Sequence, residues 1–258
     1  MRAWISVGFA MLTCFAAGQS LDMSPSGYTL ALPSRSGRLH LEAPAFNIVE
    51  ASAKPSGSEF GLRGQDKADA IGLLVFLFQY PEEAPLTSEK CRDSMIRHVR
   101  EEDPSTKLES QGILPGKQAA LAFAQYSQSS SSRQWHVVRA FVASSDLCAD
   151  IEFSSPHSIT PGQPGIAAAL ASVVFDPDAK PSFRDLFAYA TVLFHHDMMK
   201  AAAPVYEQAL RLLSADDATN KWRRVATDQA VMAFGISGDL EKSRSLAEHA
   251  IQIDPITR

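Results

Sequence analysis

The first candidates for chemistry are the seven histidines, because imidazole serves both as a metal ligand and as a general base. His195 and His196 are adjacent, and neighbouring residues on a helix point about 100° apart, so they cannot bind one metal ion as residues four positions apart do. The other histidines are scattered and lack a set of Cys, Asp or Glu partners at metal-ligand spacing: His40, His98, His136, His157 and His249. The sequence therefore predicts no metal site.

Two glycine-containing stretches partly resemble catalytic or phosphate-binding loops. Gly235 to Gly238 contains a serine but lacks the G-x-S-x-G spacing of a nucleophile elbow, so we interpret it as a turn between helices. Gly61 to Gly64 has no Walker or dinucleotide pattern and precedes no helix start, which indicates a turn between strands. The acidic clusters Glu82-Glu83 and Glu101 to Asp103 lack calcium-loop spacing and are interpreted as solvated helix ends. The sequence therefore predicts no cofactor.

One catalytic alternative stays open, because catalytic groups need not be neighbours in the chain. His136, Asp150 and Glu152 lie in predicted strands and could line a site between a sheet and helices, as in a small-ligand receptor or a hydrolase. No nucleophile, base and orienting group occur at an interpretable spacing, however. The favoured prediction is that the protein is not an enzyme.

Composition describes a folded chain of ordinary polarity. The 258 residues are 45% hydrophobic and 21% charged, which excludes a disordered tail and a collagen-like fibre. The net charge of -5 offers no basic patch for a polyanion, so nucleic acid is not an expected partner. A chain of this length suggests two small domains.

The N-terminus has the composition of a secretory signal peptide over residues 1–18. A basic start is followed by an apolar run from Ala3 to Ala17 and by small residues ending at Gly18. The run is shorter than the roughly 20 residues that span a bilayer, and no later segment reaches that length. Lipidation at Cys14 is an alternative, although the preceding residues match it poorly. We therefore expect an extracytoplasmic protein, periplasmic or secreted, without a membrane span.

Removal of the signal peptide would leave two cysteines, Cys91 and Cys148. An even number of cysteines in an oxidising compartment predicts a disulfide bond between them. The alternative is two separate buried thiols, because cysteine packs well in apolar surroundings.

The pattern between residues 28 and 178 is mainly that of strands. Apolar alternation and turn residues predict strands at Tyr28 to Leu32, Leu39 to Leu41, Phe60 to Leu62, Ile71 to Phe78, Ala119 to Tyr126, Trp135 to Val142 and Leu147 to Phe153. Helices are predicted from the N-cap Thr87 to before Pro104 and from Ile166 to Phe175. This order of strands and helices resembles that of the PsbP-like and DcrB-like domains. The resemblance also rests on the helix start at Leu86 to Arg92 and on the stretch Cys148 to Ile151. The resemblance implies an α+β domain, an antiparallel sheet flanked by helices on both faces, with a binding or accessory role.

After a proline-containing linker the pattern becomes helical, and it contains a repeat. The stretch from Gly238 to Ser243, followed by Ala247, Ala250 and a closing Asp254-Pro255, resembles the second helix of a tetratricopeptide repeat. An earlier copy has Ala202, Tyr206 and Ala209 at the same spacing. The resemblance implies a separate all-α domain over residues 183–258, with two repeats at 183–214 and 224–257.

Tetratricopeptide domains bind peptides in the groove lined by the first helix of each repeat. The resemblance places these groove residues in this chain at Arg184, Phe187, Ala188, Thr191, His195, Asp228, Gln229, Met232 and Ile236. The expected function is a non-catalytic scaffold or interaction protein with a protein or peptide partner in that groove. Because Leu246 and Ile253 on the last helix have no following repeat, we expect them to be exposed unless the sheet, a second protomer or further repeats cover them.

Overall fold

The computed structural model of the protein describes residues 27–66, 70–80, 86–130, 133–213 and 221–253. The strands in these ranges are β1 (Gly27–Ala31), β2 (Arg38–Glu42), β3 (Asn47–Ala53), β4 (Glu59–Asp66), β5 (Ile71–Gln79), β6 (Lys107–Leu114), β7 (Leu121–Ser130), β8 (Arg133–Ser144), β9 (Leu147–Ser155) and β10 (Val174–Asp176). The helices are α1 (Ser88–Glu102), α2 (Pro164–Ser172), α3 (Phe183–His195), α4 (Met199–Arg211), α5 (Lys221–Ser237) and α6 (Leu240–Ile253).

Seven of the strands form one antiparallel sheet in the order β3-β4-β5-β9-β8-β7-β6. The apolar run of β5 lies in its interior, as the sequence predicted, with Val75 opposite both Leu62 of β4 and Ile151 of β9. The other three strands form a small antiparallel sheet in the order β1-β2-β10. Strand alternation gives the large sheet two faces with different coverings.

One face of the large sheet, here called the core face, carries Leu73, Val75, Ile151 and Phe153. These side chains belong to one hydrophobic cluster that also contains residues of the small sheet, α2 and α3. The opposite face, here called the α1 face, is covered by α1 where it crosses β7 and β8. The α1 helix begins at the predicted N-cap, where the Thr87 hydroxyl accepts a hydrogen bond from the Lys90 amide.

A disulfide bond joins Cys91 of α1 to Cys148 of β9, the two cysteines that the sequence analysis paired. Both cysteines are fully buried, and they pack with Tyr80, Leu86 and Phe141 on the α1 face. Their Cα atoms lie 6.4 Å apart, within the range that disulfides span. The bond therefore fixes the start of α1 to the middle of the large sheet.

The expectation of a separate all-α repeat domain is wrong. Helices α3 to α6 do form two consecutive hairpins, but α3 packs directly on β1 and β3. Tyr189, Ala190 and Leu193 of α3 belong to the same hydrophobic cluster as the core face of the sheet. The fold is therefore one mixed α+β structure, in which the core face is covered by the small sheet and helices together.

Several boundaries also differ from the expectation. The predicted helix from Ile166 to Phe175 ends at Ser172, and the chain then enters β10, whose Phe175 lies opposite Leu39 of β2. Gly61 and Gly64 do not form a turn but lie within β4. The strands β3 and β6, at the two edges of the large sheet, were not predicted at all.

The last helix is partly covered in the described part of the chain. Leu246 of α6 is partly buried and packs against the main hydrophobic cluster, so for this residue a covered side chain, the alternative that the sequence left open, applies. The side chain of Ile253, the signal segment with Cys14, and the Asp254-Pro255 pair lie outside the described residues. In the part of the chain that the structure describes, no helix is long and apolar enough to cross a membrane.

Candidate functional site

The structure brings α3 and α5, the two helices predicted to line the groove, side by side. The Thr191 hydroxyl of α3 donates a hydrogen bond to the side-chain oxygen of Gln229 in α5, at 3.4 Å. The rings of Phe187 and Trp222 meet edge to face with 5.9 Å between their centroids. The two helix faces therefore form a continuous surface, which we call the α3–α5 surface.

Most of the predicted groove residues lie on this surface with different degrees of exposure. Arg184, His195 and Asp228 are exposed. Thr191, Gln229 and Ala188 are partly buried where α3 meets α5, a contact that we call the Thr191–Gln229 seam. Met232 is 47% exposed and Ile236 is 66% exposed, one helical turn apart on α5. Large apolar side chains with such exposure on one helix face indicate a binding surface when they lie together.

Phe187 does not line the groove as expected. It is only 4% exposed, and its ring contacts the rings of Phe183, Tyr206 and Trp222. This aromatic cluster joins α3, α4 and α5, so Phe187 is a packing residue. Thr191 also contacts α4, because the Tyr206 hydroxyl donates a hydrogen bond to the Thr191 hydroxyl oxygen at 3.2 Å.

The α3–α5 surface has a rigid base because α3 is fixed to the strands at both ends. At its start, Arg38 of β2 forms an ion pair with Asp185 at 2.6 Å. In its middle, the Tyr189 hydroxyl reaches the carbonyl oxygens of Lys54 at 2.6 Å and Glu59 at 3.0 Å. At its end, the ring Nε2 of His196 lies 2.9 Å from the carbonyl oxygen of Ala51. His196 is thus a structural anchor.

A second group of polar residues lies on the α1 face of the large sheet. Arg139 of β8 donates hydrogen bonds from two guanidinium nitrogens to the two carboxylate oxygens of Asp150 in β9. Its Nε also lies 3.2 Å from a carboxylate oxygen of Glu152, and Nη1 lies 3.5 Å from the Tyr126 hydroxyl. The side chains of Arg139, Asp150 and Glu152 are only 10%, 2% and 18% exposed. We call these four residues the Arg139 cluster.

Burial and charge shift the titration of this cluster. Burial alone would lower the pKa of Arg139, but the carboxylates of Asp150 and Glu152 raise it well above its usual value, so the guanidinium stays charged. Burial raises the pKa of the Glu152 carboxyl, Arg139 opposes that shift, and the charge of Asp150 adds to it. Burial likewise raises the pKa of Tyr126. Two carboxylates thus share one cation inside the fold.

The residues proposed for a hydrolase site do not come together. His136 lies opposite Ser155, on the core face, whereas Asp150 and Glu152 point to the α1 face of the same sheet. The ring Nδ1 of His136 instead lies 3.7 Å from a carboxylate oxygen of Glu109 in β6. The sheet therefore separates this histidine from the two carboxylates, and the three cannot act on one substrate.

The raised pKa of Glu152 predicts a pH-dependent stability difference. The folded protein keeps the proton of Glu152 at pH values where the unfolded chain has lost it. The contribution of this proton to the free energy of unfolding is therefore full below the unfolded pKa, and it is lost as pH rises through the folded pKa. Glu152→Gln removes the titration. We expect its free energy of unfolding relative to wild type to increase as pH rises from about 4, near the unfolded pKa, through the raised pKa of the folded state, measured by urea unfolding. A difference that does not change with pH would contradict this assignment.

The rest of the described structure contains two clefts but no group of metal ligands. Among the described residues, no group of three or more His, Cys, Asp or Glu side chains lies close enough to hold a metal ion. A cleft of about 530 Å³ lies at the start of α1, lined by Thr87, Ser88 and Ser144 among others. A second cleft, of about 460 Å³, lies between α1 and β6. Both clefts are lined by residues of α1, its start and nearby strands, away from the α3–α5 surface.

The sequence analysis did not predict that Arg139 pairs with the two carboxylates, nor that α3 packs on the strands. A signal for Arg139 was present: in β9, Asp150 and Glu152 alternate with the apolar residues Ile151 and Phe153, so a buried cation had to face the two carboxylates from a neighbouring strand. The strand pairing that places Arg139 there was not readable from one sequence. No sequence signal indicated that the Tyr189 hydroxyl would bind strand carbonyls.

Comparison with known proteins adds little to this geometry. No family model matches the chain, and no curated protein matches it. Twelve chains of solved structures match. One is a crystal structure at 1.50 Å resolution from Bacteroides thetaiotaomicron VPI-5482, with a TM-score of 0.39 and 8% identity over 83% of this chain and 78% of that chain. A similarity of this size carries no argument about function, so the functional interpretation rests on the chain's own geometry.

Proposed function

We propose that the protein is a non-catalytic, extracytoplasmic interaction protein that binds a protein or peptide partner on the α3–α5 surface. The observation that carries the proposal is the exposure of Met232 and Ile236, at 47% and 66%, beside the Thr191–Gln229 seam. Exposing two large apolar side chains on a helix that is otherwise well packed costs solubility without contributing to the core. A partner that covers them accounts for their presence.

The surrounding structure supports a preformed binding surface. Ala226, Ala230 and Ala233 of α5 are fully buried, so the helix is held by packing on its inner side while the outer side stays accessible. Tyr189 and His196 hold α3 against the strands. A rigid surface loses little conformational entropy on binding, which favours affinity for a flexible peptide.

The chemistry of the surface indicates the kind of partner. Met232 and Ile236 are four residues apart, and an apolar anchor of a partner can lie across both of them. Methionine adapts to differently shaped apolar side chains because it is unbranched and flexible. The polar neighbours Arg184 and Asp228 provide a rim of both charges. We therefore propose a partner with apolar anchor residues rather than one recognised through a single charge.

The same proposal includes the compartment and the repeat resemblance. The signal-like composition of residues 1–18 and the Cys91–Cys148 disulfide both support an extracytoplasmic location. The order of helices α3 to α6 supports kinship with tetratricopeptide-type hairpins, here built onto a sheet. Self-association through α6 is a further proposed contact, because Leu240 at its first position is 70% exposed.

The test is capture from a native envelope extract by the immobilised chain lacking residues 1–18. Met232→Glu and Ile236→Glu place a charge where a partner's apolar side chain must be buried, so each is expected to reduce capture of the wild-type partner by about tenfold or more. Phe187→Glu is unsuitable, because that residue is buried and the variant would unfold.

Ile113→Glu is the matched control, because Ile113 is 50% exposed, close to the value for Met232, but lies on the edge strand β6. It is expected to capture the partner as wild type does. Quantitative mass spectrometry of the captured proteins provides the measurement. If every partner of the wild-type chain is retained by both α5 variants, the α3–α5 surface is not the binding site.

A further inference from the structure

Part of the large sheet's α1 face, on β4 and β5 beside the Arg139 cluster, lies outside the area on which α1 packs in the described part of the chain. Among the described elements α1 is the helix on this face, and it packs mainly against β7 and β8. Leu74 and Phe76 of β5 point to the same face, are only partly buried and belong to none of the three hydrophobic clusters. We call the surface formed by Gly61, Arg63, Leu74, Phe76 and Glu152 the open strip.

Strand pairing fixes the arrangement of the open strip. Leu74 lies between Arg63 of β4 and Glu152 of β9, and Phe76 lies between Gly61 and Asp150. The Phe76 ring lies against Gly61 so closely that a Cβ at that position would be 2.5 Å from a ring carbon. Glycine at position 61 therefore lets the Phe76 ring approach β4 closely, and Phe76 with Leu74 forms an apolar floor beside the Glu152 carboxylate.

The Glu152 carboxylate shares its cation with Asp150. Its side chain is 18% exposed, and one oxygen lies 3.2 Å from the Arg139 Nε. That Nε–H group, however, donates its hydrogen bond to Asp150. One guanidinium therefore serves both carboxylates. Because the Glu152 carboxylate is 18% exposed and shares its cation with Asp150, its remaining lone pairs can accept hydrogen bonds from a second cation.

The other charges of the open strip do not supply that cation. Arg63 forms an ion pair with Glu50 at 3.4 Å, and its side chain is 64% exposed, so it is solvated and already paired. Asp150 takes two guanidinium nitrogens of Arg139. One buried and one partly buried carboxylate therefore share one buried guanidinium. When both carboxylates are ionised, one negative charge is left uncompensated beside the apolar side chains of Leu74 and Phe76.

We propose that the open strip is a second binding surface, which takes an arginine side chain of a partner protein. The guanidinium hydrogen-bonds the carboxylate of Glu152, and its aliphatic stem lies on Leu74 and Phe76. Arginine fits better than lysine, because a planar guanidinium donates two parallel hydrogen bonds to a carboxylate and stacks on an aromatic ring. This surface is separate from the α3–α5 surface and contacts a different part of a partner.

The probe is the peptide acetyl-Leu-Arg-Leu-amide, compared with the same peptide carrying neutral citrulline in place of arginine. Both are titrated into isotope-labelled chain lacking residues 1–18, and NMR follows the Leu74 methyl groups and the Glu152 carboxyl carbon. Wild type is expected to bind the arginine peptide about tenfold more tightly than the citrulline peptide. Glu152→Gln should remove that preference while retaining the Arg139–Asp150 pair and the fold.

Three variants complete the design. Glu50→Gln, which changes a carboxylate of the edge strand β3 whose side chain is 53% exposed, should keep the arginine preference. Leu74→Ser should weaken the binding of both peptides by the same factor, because it removes part of the apolar floor and leaves the charges unchanged. Met232→Glu should change neither affinity, which separates this surface from the α3–α5 surface. Equal affinity of wild type for both peptides, or an arginine preference that survives in Glu152→Gln, overturns the proposal.

Discussion

Replacement of Arg139 by methionine is expected to lower the free energy of unfolding by about 3–5 kcal/mol, because it leaves a buried carboxylate without its cation. Asp150 is 2% exposed and takes two guanidinium nitrogens of Arg139. Methionine fills much of the same volume, so the loss reports the missing charge rather than a cavity. The measurement is urea unfolding at neutral pH, followed by circular dichroism.

Two further variants show whether the charge is the cause. Arg63→Met removes an arginine from the same sheet face, but this side chain is 64% exposed, so a change within about 0.5 kcal/mol is expected. Adding Asp150→Leu to Arg139→Met should recover most of the lost stability, because no unpaired buried charge from that pair remains. A loss of less than about 1 kcal/mol in Arg139→Met would mean that water or another group solvates Asp150.

The interior of the large sheet was predictable because its strands carry an unambiguous burial pattern. In β5, apolar residues occupy both alternating faces, which is typical of a strand covered on both sides. In β9, Leu147, Ala149, Ile151 and Phe153 alternate with polar residues and Cys148. The helix after Thr87 was also readable, since a threonine N-cap and apolar residues at helical spacing act locally.

The edge strands could not be predicted because their sequences contain many polar residues and show no regular alternation of apolar and polar positions. β3 carries Asn47, Glu50 and Ser52, and β6 carries Lys107, Glu109 and Gln111. Both strands contain an irregularity in register, which further disturbs alternation. An edge strand is held by backbone hydrogen bonds to one neighbour, and the sequence of a single strand does not record those bonds.

The candidate binding residues were partly predictable. Spacing on α3 and α5 identified the exposed pair Met232 and Ile236, because one helix face is determined by sequence alone. Spacing alone could not show that Met232 and Ile236 are exposed while Phe187 is buried, since burial of the Phe187 ring depends on how α4 and α5 approach α3. The repeat pattern likewise predicted the helices but not their packing on the strands, because that packing depends on tertiary contacts. It involves the side of α3 opposite to the predicted groove residues.

That attachment leads to the second large expected effect, which is that Tyr189→Ala destabilises the whole protein by about 3–5 kcal/mol. Tyr189 is fully buried, its ring lies 5.2 Å from the ring of Phe60 in β4, and its hydroxyl reaches two strand carbonyl oxygens. Tyr189→Phe keeps the ring and loses the hydrogen bonds, so a smaller cost of about 1–3 kcal/mol is expected. Burial raises the pKa of this hydroxyl to about 12, so it acts as a neutral donor at physiological pH.

The two tryptophans of the chain lacking residues 1–18 show whether sheet and helices unfold together. Trp135 lies in β8 and Trp222 lies in α5, so Trp222→Phe and Trp135→Phe backgrounds report the sheet and the helices separately. Because one hydrophobic cluster contains both parts, the two fluorescence transitions in urea should coincide, and Tyr189→Ala should move both to lower urea by the same amount. If α3 to α6 formed an independent domain, Tyr189→Ala would shift the Trp222 transition and leave the Trp135 transition in place. That outcome would show that the contacts of α3 with β1 and β3 do not couple the stability of the two parts.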